Sequence, residues 1–171
     1  MTYDRWITEM DGELQPEKSF DLIKRQLIIG ERQAVLYYID GFIKDEVYEK
    51  ILEFLFKQTP QDIEKINDMT DFSKLKMPYV EADATQNLSD AVTAVLSGPS
   101  VLIIEGISGA LIIDTRTYPL RSPEEPQKDK SLRGARDGFV EALVMNTALI
   151  RRRIRDTRLR MEYMQIGTDT K

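Results

Sequence analysis

Apolar positions along the chain follow two periods, one helical and one extended. From Lys44 to Lys57, Val47, Ile51, Leu52, Phe54 and Leu55 form a broad helical stripe. Asp45, Glu46 and Glu49 sit in its early turns, where the helix dipole favours negative charge. Thr59-Pro60 stops that helix, and Gln61–Asn67 predicts a short one with Pro60 near its start. Ser19 reads as the N-cap of an earlier helix, with Phe20, Ile23, Leu27 and Ile28 at helical spacing and Gly30 at its end. Asn87 or Ser89 caps a helix through Leu96, with Leu88, Val92 and Val95 inward and Gly98-Pro99 after it. Asp137 or Gly138 opens the last helix. Its apolar positions are Phe139, Leu143, Met145, Leu149 and Ile150, and Arg151–Arg153 fill its final turns.

The extended period marks the strands. Gln33–Asp40 is a nearly continuous apolar run and predicts a buried strand. Ser100–Glu105 and Ala110–Thr115 flank Gly106-Ile107-Ser108-Gly109, which predicts a hairpin. Leu159–Ile166 alternates and predicts a half-exposed strand. Three segments lack either period. Residues 1–18 read as a polar, weakly ordered tail, and 68–86 as an irregular polar stretch containing Pro78. Residues 117–137 read as a long polar loop with Pro119, Pro123 and Pro126. The pattern is mixed, α+β, with no internal repeat.

Composition narrows the chemistry. The 171 residues are 42% hydrophobic and 31% charged, with a formal charge of −5, as suits a soluble globular chain that as a whole is no nucleic-acid binder. There is no cysteine, so disulfides and thiolate chemistry are excluded. There is no histidine, so a Ser-His-Asp triad cannot be built and the commonest general base and metal ligand are missing. Lysine bases and carboxylate pairs remain, which weakens an enzyme reading without disproving it. No apolar run approaches the roughly 18–20 residues of a membrane span, and the charged start is no signal peptide.

Four features invite sharper readings. Gly106–Gly109 resembles a GXXG loop, but such a loop joins two helices, and a G-x-S-x-G elbow would need glycine where Ala110 stands. A hairpin turn is the simpler reading. Arg151, Arg152, Arg153, Arg155, Arg158 and Arg160 form the one dense basic cluster. Structural pairing or a solvated helix end accounts for it best; nucleic-acid contact lacks interleaved aromatics, and a membrane-proximal role requires a span downstream. Glu124 and Glu125 are adjacent, so in an extended segment they point apart and make a poor catalytic dyad. Pairing with Arg121, Arg133 or Arg136, or a contact between subunits, suits them better, and they offer too few converging oxygens for a divalent cation. Asn146, in the middle of the last helix, suits a structural hydrogen bond or a partner contact.

From Pro99 to Gly167 the chain resembles a known family. The carrying segments are Ser97-Gly98-Pro99-Ser100, Asp114-Thr115-Arg116-Thr117-Tyr118-Pro119 and Arg121-Ser122-Pro123-Glu124-Glu125-Pro126. Arg133-Gly134-Ala135-Arg136-Asp137-Gly138-Phe139-Val140-Glu141 and the run from Asn146 to Asp156 follow. This resembles the spore germinant-receptor A-subunit (GerA) family, leaning toward its stage V sporulation branch. A weaker likeness runs from Phe20 to Glu49. Ala135 and Thr157 stand where the family usually has proline.

The resemblance implies two small α/β subdomains, each with a short sheet: 19–80 and 81–171, after the 1–18 tail. It implies a membrane domain beyond this chain, in the spore inner membrane, with this part on the cytosolic side. It implies partnership with other germination-complex membrane subunits, a possible homo-oligomer in the full-length protein, and no nucleic acid. It brings no catalytic residue, cofactor or metal. The expected role is assembly and signal transmission in an oligomeric ion-conducting complex; the alternative is a small-molecule sensor with a cleft between two lobes. Candidate partner contacts are Arg121, Glu124, Glu125, Arg133, Arg136, Asp137, Asn146, Arg151, Arg152 and Arg153.

Overall fold

The arrangement of these elements comes from a computed structural model, which describes residues 1–77, 81–116, 138–164 and 166–167. In chain order they are α1 (Tyr3–Leu14), β1 (Leu22–Ile29), β2 (Arg32–Ile39), α2 (Asp45–Phe56), α3 (Pro60–Ile63), α4 (Met69–Lys76), β3 (Ala82–Thr85), α5 (Leu88–Ser97), β4 (Ser100–Ile104), β5 (Ala110–Ile113) and α6 (Leu143–Arg153). The strands form one antiparallel sheet in the order β1-β2-β4-β5-β3. The fold is mixed α and β, as the pattern implies. The sheet, however, is shared: β2 pairs with β4, Leu36 opposite Leu102, so the two halves do not carry a short sheet each.

The middle of the sheet explains its hydrophobic run. Every residue of β4 is buried. Val101 and Ile103 face one core with Val35, Tyr37, Trp6, Met10 and Val95, under α1 and α5. Leu102 and Ile104 face the other with Leu36, Ile51, Leu55, Ile63 and Phe72, under α2, α3 and α4. A strand covered on both faces loses the polar alternation of a half-exposed one.

The expected hairpin, strand and capped helices are present where periodicity is local. Ser100 pairs with Ile113 across the Gly106–Gly109 turn, whose two glycines carry φ of +75° and +92°. Asn87 caps α5 by accepting from the Ser89 N–H at 3.0 Å. Thr59 and Asp62 form a reciprocal capping box on α3, with Pro60 in its first turn.

Five expectations are corrected. The tail 1–18 is instead headed by α1, because Trp6, Met10 and Leu14 recur every four residues and are all buried. The helix read from Ser19 is strand β1: Gly30 and Glu31, both at positive φ, make a two-residue turn that pairs Ile29 with Arg32 and zips β1 along β2. The irregular stretch 68–86 contains α4, capped by Asp68 on the Asp71 N–H, and β3, whose polarity is that of an exposed edge.

The last two lie near the C-terminal end. Helix α6 begins at Leu143 rather than near Gly138. The Asn146 side chain accepts from the Val140 N–H at 2.7 Å and donates to its carbonyl at 2.6 Å, which takes both backbone groups out of helical pairing. The stripe expected to be inward is partly outward: Phe139 is 67% and Leu143 51% exposed, while Thr147, Ala148 and Arg151 face the core. Residues 159–164 form no strand. Met161 makes one backbone bond, to the Phe20 N–H, and its own N–H goes to the Ser19 hydroxyl, which takes the place of the next rung.

Candidate functional site

A buried polar cluster joins the turn just ahead of β1 to the end of α6. Arg151 and Asp21 are 0% and 1% exposed, and Ser19 lies buried beside them. Helical register puts Arg151 on the same inward face as Thr147 and Ala148, one turn back. Its Nε donates to Asp21 Oδ2 at 2.7 Å and its Nη2 to Asp21 Oδ1 at 2.9 Å. Nη2 also donates to Ser19 Oγ at 3.1 Å, and Nη1 to the carbonyls of Leu159 at 3.0 Å and Asp156 at 3.4 Å. All five N–H groups of the guanidinium are therefore placed.

Ser19 is equally saturated. Its hydroxyl donates to Asp21 Oδ1 at 2.7 Å and accepts from Arg151 and from the Met161 N–H at 3.0 Å. Burying two charges costs several kcal/mol per ion, of order, and only a fully hydrogen-bonded pair offsets that. Because every donor is spent within the protein, the cluster is a clasp with no group left for a substrate. It fastens α6 and the 156–161 segment to the sheet at once.

A second cluster lies on the α1 side. Asp11 accepts from Tyr37 Oη at 2.8 Å and from Lys24 Nζ at 2.5 Å. Burial first, then the hydrogen bond and charge of Asp11, push the Tyr37 phenol well above its ordinary range, so it serves as a neutral donor. At the surface, the Arg158 side chain holds the Asp156 carboxyl down to about 2. Asp156 also accepts from the Arg158 N–H at 2.8 Å, closing the turn after α6.

Of the residues nominated from sequence, Arg151 is the core of the clasp, whereas Arg152 and Arg153 are exposed on the same helix end. Asn146 spends its side chain on Val140, some way from the clasp along α6. Arg121, Glu124, Glu125, Arg133, Arg136 and Asp137 lie outside the described residues. Sequence reasoning missed Ser19, taken for a helix cap, and Asp21. The available signal was the Ser-x-Asp spacing just ahead of an apolar run, which suits a turn: the Leu22 N–H donates to the Ser19 carbonyl at 3.1 Å, and the Ser19 hydroxyl donates to Asp21 two residues on. Among the described residues no group of acidic side chains is arranged to hold a metal ion, and no helix is long and apolar enough to cross a membrane.

Comparison with known proteins bears on this arrangement. The family model described as Bacillus/Clostridium GerA spore germination protein matches residues 10–171. The chain is 38% identical over 153 residues to Stage V sporulation protein AF of Bacillus subtilis (strain 168), covering 90% of this chain and 31% of that protein. It is 28% identical over 156 residues to Spore germination protein KA of the same organism, covering 89% and 28%. It therefore spans less than a third of either relative. In fold it is similar to the N-terminal domain of the A subunit of the Bacillus megaterium spore germinant receptor GerK3. That likeness has a TM-score of 0.64 at 23% identity and covers 96% of this chain and 59% of that one. The chain belongs to the GerA family of spore germination proteins.

Proposed function

We infer that this chain is the cytosolic N-terminal domain of a spore inner-membrane germination protein. Its work is to support assembly of an oligomeric ion-conducting complex and to transmit the signal that opens it, without catalysis of its own. The observation that carries the reading is the Ser19–Asp21–Arg151 clasp. It makes α6 and the segment through Met161 one mechanical unit with the sheet, so a displacement of either is felt by the other. Family membership supplies the setting. The relatives are named as sporulation and germination proteins, and this chain spans about 31% of the length of one of them.

The charged stretch between β5 and α6 is assigned to partner contact on sequence grounds, through Arg121, Glu124, Glu125, Arg133, Arg136 and Asp137. The test replaces Arg133 and Arg136 with alanine in the full-length protein. Co-purification of the other complex subunits should fall, and ion release from germinating spores should slow. Normal co-purification together with normal ion release would sink the assignment.

A further inference from the structure

The clasp has a geometric by-product. Arg151 and Met161 both reach the same buried hydroxyl, that of Ser19, at 3.1 and 3.0 Å. Residues 152–160 are therefore an excursion whose two ends are fastened to one point. It is braced from inside by Arg151 on the carbonyls of Asp156 and Leu159. Five of its nine residues are arginines: Arg152, Arg153, Arg155, Arg158 and Arg160, and all five are exposed. Asp156 is its one acidic residue, held by Arg158.

This charge is concentrated against the trend of the molecule. The excursion holds five of the 24 basic residues and one of the 29 acidic ones, leaving 19 basic against 28 acidic elsewhere. Apolar side chains stand exposed beside it. Ile154 is 47% exposed within the excursion; Tyr163, Met164 and Ile166 follow it at 63%, 79% and 80%. Glu162 interrupts the run. Ile154 and Arg153 also line a hollow of about 230 Å³ with Phe139, Leu149 and Ile150.

We propose that the pinned excursion 152–160, with the apolar residues after it, docks this domain flat on an anionic lipid bilayer. Guanidinium groups suit lipid phosphates, and about 1 kcal/mol per basic residue is gained near an anionic surface, a factor of roughly five in partition. Aliphatic and tyrosine side chains gain by entering the headgroup boundary. A nucleic acid offers the same phosphates but nothing to Ile154, Met164 or Ile166, and no aromatic is interleaved among the arginines for bases to stack on. The inference deepens the membrane setting proposed above and does not require ion conduction.

The test uses the 171-residue chain and co-sedimentation with phosphatidylcholine vesicles, with or without about 30% phosphatidylglycerol. Binding should require the anionic lipid and weaken steeply with added salt. The Arg153→Gln/Arg155→Gln/Arg160→Gln variant should lower partition roughly 100-fold, about fivefold per charge. Met164→Ser/Ile166→Ser should lower it while leaving the salt dependence in place. Unchanged circular dichroism would certify that both variants are folded. Equal binding to neutral vesicles, undiminished binding by the triple variant, or tighter retention on single-stranded DNA at the same salt would overturn the proposal. Failure here would leave the assembly reading intact, since that reading is judged by co-purification and ion release in spores.

Discussion

Replacing Arg151 with methionine isolates the buried Arg151–Asp21 ion pair. The side chain is fully buried and makes five hydrogen bonds, two of them to a carboxylate that is itself 1% exposed. Methionine fills much of the space but leaves Asp21 charged and buried with the Ser19 hydroxyl alone. Breaking such a pair from one side costs about 3–5 kcal/mol. With a slope of about 2 kcal/mol per molar urea, the unfolding midpoint should fall by roughly 1.5–2.5 M. Asp21→Leu should cost a similar amount by stranding the guanidinium. The double variant, Asp21→Leu with Arg151→Met, removes both charges and should recover to within about 2–3 kcal/mol of the parent, because the groups left short of partners are neutral: the carbonyls of Asp156 and Leu159 lose a donor and the Ser19 hydroxyl loses its acceptor and one of its donors. The coupling energy of the cycle should then exceed about 3 kcal/mol. Single variants costing less than about 1 kcal/mol, or a double variant equal to the sum of the singles, would refute the clasp.

Three further outcomes follow from the packing. Trp6→Ala empties a buried site between α1 and the sheet and should cost about 3–5 kcal/mol by urea unfolding, whereas a disordered N-terminal tail would predict almost none. Gly41 sits at φ +82°, where a Cβ would come within 2.9 Å of Val144 Cγ1 and 3.1 Å of the Val144 carbonyl. Gly41→Ala should therefore cost roughly 1–3 kcal/mol and speed amide exchange in α6 before the sheet. The Asp62 carboxyl is held well below its ordinary 3.8, by the Thr59 hydroxyl first, then Lys76 and the Thr59 N–H. A depressed carboxyl adds stability above its unfolded pKa and loses it as pH falls through the folded one. The melting temperature should drop between about pH 4 and pH 2, and Asp62→Asn should flatten that acid limb.

Which parts were readable from sequence follows from how local their causes are. Helices α2 and α5 and strand β2 carry their own stripe or run, and the β4–β5 hairpin carries its glycines; all were legible. β1 was not, because Phe20, Ile23 and Leu27 satisfy a helical spacing as well as a strand. What decides is pairing with β2 across Gly30-Glu31, which no local window contains. α1 was hidden because its stripe of Trp6, Met10 and Leu14 is diluted by charged neighbours and Gly12. β3 was hidden because an edge strand needs few apolar residues. The clasp was half legible: a basic cluster was plain, but only helical register tells the buried Arg151 from the exposed Arg152 and Arg153. Asp21 is 130 residues away in sequence, and nothing short of the tertiary fold brings it to Arg151.

The proposed coupling of this domain to the rest of a germination complex runs through the clasp. Arg151→Lys in the full-length protein tests it most directly, because lysine keeps the charge but loses the fork that reaches Asp21, Ser19 and two carbonyls together. The measurement is ion release from germinating spores, normalised to the amount of the protein in the inner membrane by immunoblot. Near-normal amounts of protein with slowed release are expected. Near-normal amounts with release at the parental rate would contradict it.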